Sequence, residues 1–592
     1  MFFIKRSLEA NRLQVIESGP FDFLKSLKQL TLRSNALTSI QPKAFCMLQK
    51  LQHLILDNNR LKTMSEGDFG CLLNLESLRL KHNAISTIET NSLCGLESLV
   101  RLNLKGNRLK VVKNESLACL SSLEDIYLEY NVIEDIEPNS FRNLTKLRML
   151  KLEQNSITNI EPYSFCGMPK VWELSIHNND IEFIESETFC PMRYLEKLNL
   201  NNNKLPKLSN GSLACLSQLT EFSLSGNDLK HIQRDLVRGL TKLQEFQASL
   251  NKLVSIEDGT FCDFRHLKTL RLDRNKLSHV HPQTLCAPSL QRVVMDNNNI
   301  SKLPTKVFKS MKVTLTLRLA FNNISSINDT AFEDLYNLTT LDLTDNKLKR
   351  FSSTISSPLV NLQDLNLNEN EIQRLNAGQF KHLQNLKALR LRTNAISYIH
   401  ENAFIGLNKL QFLNISSNML SNIDMKALEP LSELQSLILQ DNKLQKLDFI
   451  GKLSQLLILS VASNHIHRVN SDHFKNLRSL EELYLINNRI KSLQNKPFSR
   501  YRNLRILDLS GNEIKLSVQD DLGLTFLEKL DLAKNKISNL TCSGLPPVLR
   551  SLILAHNNIK KFDRNCDGLF FQINKIKSFA SIIIAVRVYL EI

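Results

Sequence analysis

The sequence predicts an α/β solenoid, a horseshoe with a continuous parallel β-sheet on its concave face and short irregular, 3-10 or helical segments on its convex face. Three observations carry that expectation. Asparagine returns on a beat of nearly 24 residues, from Asn11 to Asn557. Each copy sits in the frame L-x-x-L-x-L-x-x-N-x-L, and a large apolar residue, usually Phe, stands ten residues after most of these asparagines. The ladder holds 24 copies; its irregular steps are 23 residues (275 to 298, 512 to 535) and 22 residues (442 to 464, 535 to 557). Self-similarity of this kind marks stacked coils, each unable to bury its apolar face alone.

The strand is the first element. In the copy Leu147-Arg148-Met149-Leu150-Lys151-Leu152-Glu153-Gln154-Asn155, Leu150 and Leu152 are two apart and so share one face of a strand, while Met149, Lys151 and Glu153 take the other. Stacking puts each strand beside the next and merges the leucines into one core. The ladder asparagine is the second element. It turns the chain out of the sheet, and its amide supplies two donors and an acceptor for backbone groups that would otherwise be buried unpaired. The third is the apolar column of Phe21, Phe45, Phe69, Phe141, Phe165, Phe189, Phe261, Phe308, Phe332, Phe380, Phe404, Phe474 and Phe498. It reads as a stacked spine filling the convex half of each coil.

A 24-residue repeat with this Phe column, and without a G-x-I-P stretch on the convex side, resembles the "typical" repeat of the extracellular leucine-rich-repeat superfamily. Toll-like, chaoptin-like and leucine-rich-repeat/immunoglobulin-like-domain receptors use it. The resemblance covers roughly residues 3–565. It implies a non-catalytic recognition domain of a receptor or adhesion protein that binds a protein ligand or co-receptor through the concave sheet. It names no ligand, since one fold serves many.

Length supports a single domain of this type, because a solenoid has no core-size limit. The expectation is one leucine-rich-repeat domain of about 24 repeats over 3–565, then a non-repeat tail over 566–592, read as disordered or non-native. The first copy is under way at Leu8, and Met1 to Lys5 is too short for a secretory signal. Phe579 to Val586 is too short for a membrane span of ~20 residues. With no cap visible at either end, the chain reads as a fragment whose signal, caps and anchor lie outside it.

Nine of the eleven cysteines fall 11 or 12 residues after a ladder asparagine, beside the Phe column. Candidate disulfides join neighbouring coils: Cys46 with Cys71, Cys94 with Cys119, Cys190 with Cys215, and Cys262 with Cys286. The reading of all nine as small buried hydrophobes stands just ahead, because convex faces splay apart and pairing leaves Cys166 alone. No C-x-x-C or Cys/His cluster points to zinc, and no cofactor is expected. Nine N-x-[ST] sequons, at Asn114, Asn143, Asn210, Asn299, Asn323, Asn328, Asn337, Asn414 and Asn539, give modest support for a secreted chain. Asn414, between Leu413 and Ile415, is expected to point out from the concave sheet, where a glycan would wall off part of the cavity.

The net charge is +16, and its placing matters more than its sum. Concave positions of the third and fourth copies carry Arg79, Lys81, His82, Arg101 and Lys105; the next add Tyr127, Glu129, Tyr130, Lys151 and Glu153. Farther on come Arg271, Arg274, Arg292 and Arg318 with Phe321, an acidic group of Asp342, Asp345, Asp364 and Glu369, and then Arg390, Arg392 and Phe412. Arg and Tyr clustered on an open face are residue types that anchor protein partners. Singly, each is only a solvated sheet residue. Sulfated glycans or other polyanions would suit the basic groups too.

No G-x-x-x-x-G-K-[ST], H-E-x-x-H, G-x-S-x-G or G-x-G-x-x-G occurs, and the thirteen histidines are scattered, so an enzyme is not expected. Trp172 reads as packing. Three classes remain: an extracellular or cell-surface recognition ectodomain, a cytoplasmic scaffold with reduced thiols, and a pattern-recognition receptor for an anionic polymer. A homodimer is compatible with any of them.

Overall fold

The computed structural model describes residues 4–562 apart from 475, 494–496, 499–500, 516–522, 541–544 and 547. The tail 566–592 and Cys542 and Cys566 lie outside the described residues. The chain forms two compact units, Met1–Arg318 with Glu333–Leu335, and Leu319–Phe332 with Tyr336–Ile592.

Each unit is a parallel-strand solenoid. In the first, three-residue strands run from Lys5–Ser7 to Thr316–Arg318. Each pairs in parallel with the next coil's strand at a constant register, as in Asp125↔Met149, Ile126↔Leu150 and Tyr127↔Lys151. In the second, the series runs from Thr340–Asp342 to Ser551–Ile553 with the same pairing. The central residue of each strand is inward: Leu54, Leu78, Leu102, Ile126, Leu150 and Leu174 are all 0% exposed. Most flanking strand residues stay at least partly open, with Ser175, Val294, Asn414 and Ser460 as buried exceptions, so the alternation read from the sequence is largely the alternation of the sheet.

The ladder asparagine does what its position demands. Asn155 Nδ2 donates to Leu152 O of its own coil (2.9 Å) and Leu128 O of the preceding one (3.1 Å), while its Oδ1 accepts from Ile133 N (3.0 Å). Asn59, Asn251, Asn370 and Asn488 repeat the scheme. Each amide thus stitches its coil to the one before. The residue just ahead of every ladder asparagine is left-handed, with φ between 49° and 71°. Such a backbone costs a residue bearing a Cβ roughly 1–2 kcal/mol, and the three amide bonds hold it in place. Where glycine takes this position the neighbouring coil uses the space: a Cβ on Gly106 would lie 2.2 Å from His82 Nδ1.

The Phe column packs as a spine. Phe165 is fully buried and stacks on Phe141 (centroids 6.3 Å apart) and on Phe189 (6.0 Å). Among the described residues, helix is confined to short convex pieces, the 3-10 turns Arg234–Leu236 and Asp448–Ile450 and the α-turns Ser353–Ser356 and Met425–Leu428. Two-residue strands between ladder and spine, such as Val111–Val112 with Asp135–Ile136, pair neighbouring coils a second time, which the sequence did not announce.

Asn155→Ala should remove three backbone partners at once and cost roughly 2 kcal/mol or more. Amide exchange should rise first at Ile133 and in the strands around it; unchanged protection there would refute the stitch. Phe165→Ala should cost about 3–5 kcal/mol, read as a lowered denaturant midpoint.

Candidate ligand-binding face

The outward side chains of the first unit's strands build two adjoining depressions. The first, of 450 Å³, is lined by Ser77, Arg79, Lys81, Arg101, Asn103, Lys105, Tyr127 and Glu129. The basic group expected here is present, but it is not free cationic surface. Arg79 Nη2 pairs with Asp57 Oδ2 at 2.6 Å, Arg101 Nε with Asp125 Oδ2 at 3.1 Å, and Lys105 Nζ with Glu129 Oε1 at 3.2 Å. Asp57 also accepts from Lys81 N (2.9 Å). Side-chain exposure is unequal within each pair: 46% against 3% for Arg79 and Asp57, 63% against 20% for Arg101 and Asp125, and 30% against 6% for Lys105 and Glu129. The carboxylate is the floor and the cation the surface. Lys105 Nζ also lies 4.7 Å above the Tyr130 ring. Burial, with Asp125 close by, raises the Tyr127 hydroxyl above its ordinary pKa.

The second depression, of 410 Å³, spans the strands from Met149–Lys151 to Glu245–Gln247. Glu173 pairs with Lys151, and Glu221 with Lys197. His177 stands among them, its Nδ1 2.8 Å from Ser175 Oγ and 3.4 Å from Asn199 Nδ2. Desolvation lowers its pKa, against the opposing pull of Glu153. The sequence reading named Lys151 and Glu153 but missed this polar row of Glu173, Ser175, His177 and Glu221; its signal was the same outward strand position in successive coils.

The later candidates divide. In the first unit Arg318 Nε pairs with Asp296 Oδ2 (2.6 Å) and Arg271 Nε with Asp273 Oδ1 (3.4 Å), again cation outside and acid beneath. Arg292 is exposed on its strand. In the second unit Arg390 pairs with Asp364 and lies 5.4 Å over the Phe412 ring, Asp342 accepts from Thr344 (2.6 Å), and Arg392 is exposed. His82, Tyr130, Arg274, Phe321 and Asp345 are not strand-face residues: each is the left-handed residue before a ladder asparagine and projects where the sheet ends. Tyr130 and Phe321 are accordingly 52% and 45% exposed.

Asn414 corrects an expectation. It keeps an outward strand position beside the inward Leu413, but that position is closed: Asn414 is 5% exposed, and its Oδ1 accepts from Ser416 N (2.9 Å) and Ser416 Oγ (2.6 Å). Asn114, Asn143, Asn210, Asn299 and Asn328 are exposed, and Asn323 and Asn337 are half-buried. Asn539 opens a short strand, and its side chain lies outside what the structure describes.

The convex cysteines are corrected too. None of the nine is buried, so they are not core hydrophobes. The convex faces do not splay beyond reach: Cα separations of 4.8, 5.1, 5.1 and 4.6 Å accompany disulfides Cys46–Cys71, Cys94–Cys119, Cys190–Cys215 and Cys262–Cys286. Cys166 is the free cysteine among the described residues, its thiol pKa raised by burial. Also among them, no group of three or more His, Cys, Asp or Glu is placed to hold a metal ion, and no helix is long and apolar enough to cross a membrane.

Residues 7–61, 50–109, 74–133, 102–157, 121–181, 172–229, 217–277, 288–348, 314–372, 360–420, 399–444 and 454–514 match the family described as Leucine rich repeat. A stretch of 124 residues is 31% identical to Toll-like receptor 9 of Mus musculus, a match that covers 20% of this chain and 12% of that receptor. Among solved structures, the chain is similar to the plant peptide hormone receptor RGFR1 in complex with RGF2, with a TM-score of 0.59 and 23% identity over 94% of this chain and 93% of that one. It is also similar to a TDR receptor, with a TM-score of 0.57 and 19% identity over 90% and 93%. At these identities the likeness is one of fold.

In denaturant without reductant, Cys166 should be the one convex cysteine that alkylates, and peptide mapping should return the four linked pairs; labelling of all nine would exclude the disulfides. The His177 imidazole should titrate below 6.5, its ordinary value. The unfolded chain then binds the proton more readily, so the contribution of this site to stability is present above about pH 6.5 and is lost on acidification through the folded-state pKa. An NMR midpoint at or above 6.5 would contradict that burial.

Proposed function

The chain belongs to the leucine-rich repeat family, and from that premise we propose that it is a non-catalytic recognition domain of an extracellular receptor that takes a protein ligand on the open face of its sheet. The observation that carries this reading is the strand row of the first unit, where cation heads stand over less exposed carboxylates and Tyr127 lines the same depression. Charges already fixed by a partner beneath them lose little freedom when a ligand docks, and Arg and Tyr in such settings supply much of an interface's affinity. The complex of the structurally similar plant receptor with RGF2 lends support by analogy of fold.

The convex side supports an extracellular compartment. Four disulfides between neighbouring coils fit an oxidising environment, where such bonds persist, and fit a cytoplasmic scaffold poorly. Exposed sequons at Asn143 and Asn210 fit the same setting.

Made through a secretory route, the chain should carry glycosidase-sensitive mass on exposed sequons and none at Asn414; a product with no glycan and reduced convex thiols would sink the extracellular reading. Peptide binders selected against the whole chain should lose at least ~10-fold, about 1.4 kcal/mol, with Arg101→Ala and Tyr127→Ala together. They should keep their affinity with Arg142→Ala on the exposed convex side. The opposite pattern would move the binding face off the sheet.

A further inference from the structure

We infer that the sheet between Ser77–Arg79 and Glu245–Gln247 is a charge-polar cradle for an extended peptide segment, its acidic part over the first three strands and its basic part over the next five. The inference rests on the recognition reading above and adds the chemistry of the partner.

The two depressions differ in the sign they present. In the first, each ion pair turns its cation outward, and Lys81 adds a charge that has no ion-pair partner among the described residues. A ligand there meets ammonium and guanidinium groups first. In the second, Lys151 and Lys197 are matched by Glu173 and Glu221 at nearly equal exposure, 19% with 22% and 41% with 47%. Those pairs cancel at the surface. What remains is acidic: neither Glu153 nor Glu245 has an ion-pair partner among the described residues, and Glu245 accepts only from Gln247 Nε2 (2.6 Å). His177, kept neutral by burial, does not offset them. At the boundary, Glu129 and Glu153 on successive coils each keep one buried carboxylate oxygen, Oε2, with no donor. Glu129 is itself 5% exposed and lines the first depression. These are unmet acceptors where the sign changes.

Distance lets the two signs act separately. Seven strand steps of ~4.8 Å give a cradle of roughly 34 Å, several times the ~8 Å screening length at physiological salt. About ten residues of extended peptide span it, at ~3.3 Å each. A uniformly charged polymer, by contrast, gains attraction over one half and meets repulsion over the other.

The test uses the whole chain and fluorescent 12-residue peptides of one composition, equal numbers of Glu and Lys separated by Tyr spacers, in blocked or scrambled order, together with a heparin oligosaccharide. The blocked peptide should bind at least ~10-fold tighter than the scrambled one. Lys81→Glu with Arg101→Glu, or Glu153→Lys with Glu245→Lys, should each remove that preference. All four substitutions together should restore it, because the peptide can lie in the reverse direction, and circular dichroism should show each variant folded. Equal binding of blocked and scrambled peptides, heparin binding tighter than either peptide, or no recovery in the fourfold variant would overturn the inference. If selected binders still depend on Arg101 and Tyr127 in those cases, the recognition reading survives; if they do not, it falls as well.

Discussion

Everything in this molecule depends on one side chain used repeatedly: the asparagine amide that bonds to its own coil and to the one before. A strand of three residues buries a leucine but offers few hydrogen bonds, and the chain must then turn sharply out of the sheet. Asn155 accepts from Ile133 N and donates to Leu128 O and Leu152 O, so three backbone groups at the turn are paired. The same bonds fix the left-handed residue ahead of it, which is why Tyr130, Leu250 and Phe321 tolerate a conformation that bulky side chains usually avoid. With that corner secured, strand register follows, and with register come the stacked Phe rings and the alignment of outward side chains into rows.

Those rows explain how the face differs from a simple charge tally. Of the candidate cations, Arg79, Arg101, Lys105, Arg271 and Arg318 stand over acids that the same fold places beneath them. In each pair the acid is less exposed than the cation, which leaves the cation as the group a partner meets. Net charge then says little, and the order of signs along the sheet says more.

What the sequence disclosed tracks the range of the interaction responsible. The strand leucines, the ladder and the Phe column obey a period, so they are legible from spacing alone. The pairs Arg79–Asp57 and Lys105–Glu129 were within reach, being 22 and 24 residues apart, but require knowing which outward positions face each other across coils. Asn414 was misjudged because an outward strand position need not be open: Ser416, two residues on, takes up its Oδ1, and the residue is 5% exposed. The cysteine partners were legible while their bonding was not, since that turned on a convex spacing of about 5 Å that no repeat length specifies.

The four disulfides each join coils that are already neighbours, their partners 24 or 25 positions apart in sequence. Under tension applied to its ends, a stack of this kind peels coil by coil. A staple between adjacent coils withholds the length it encloses, roughly 90 Å of contour for 25 residues at ~3.6 Å each. Pulled from a surface, the first unit would therefore yield in shorter steps wherever a staple sits, and reducing agent would release that hidden length.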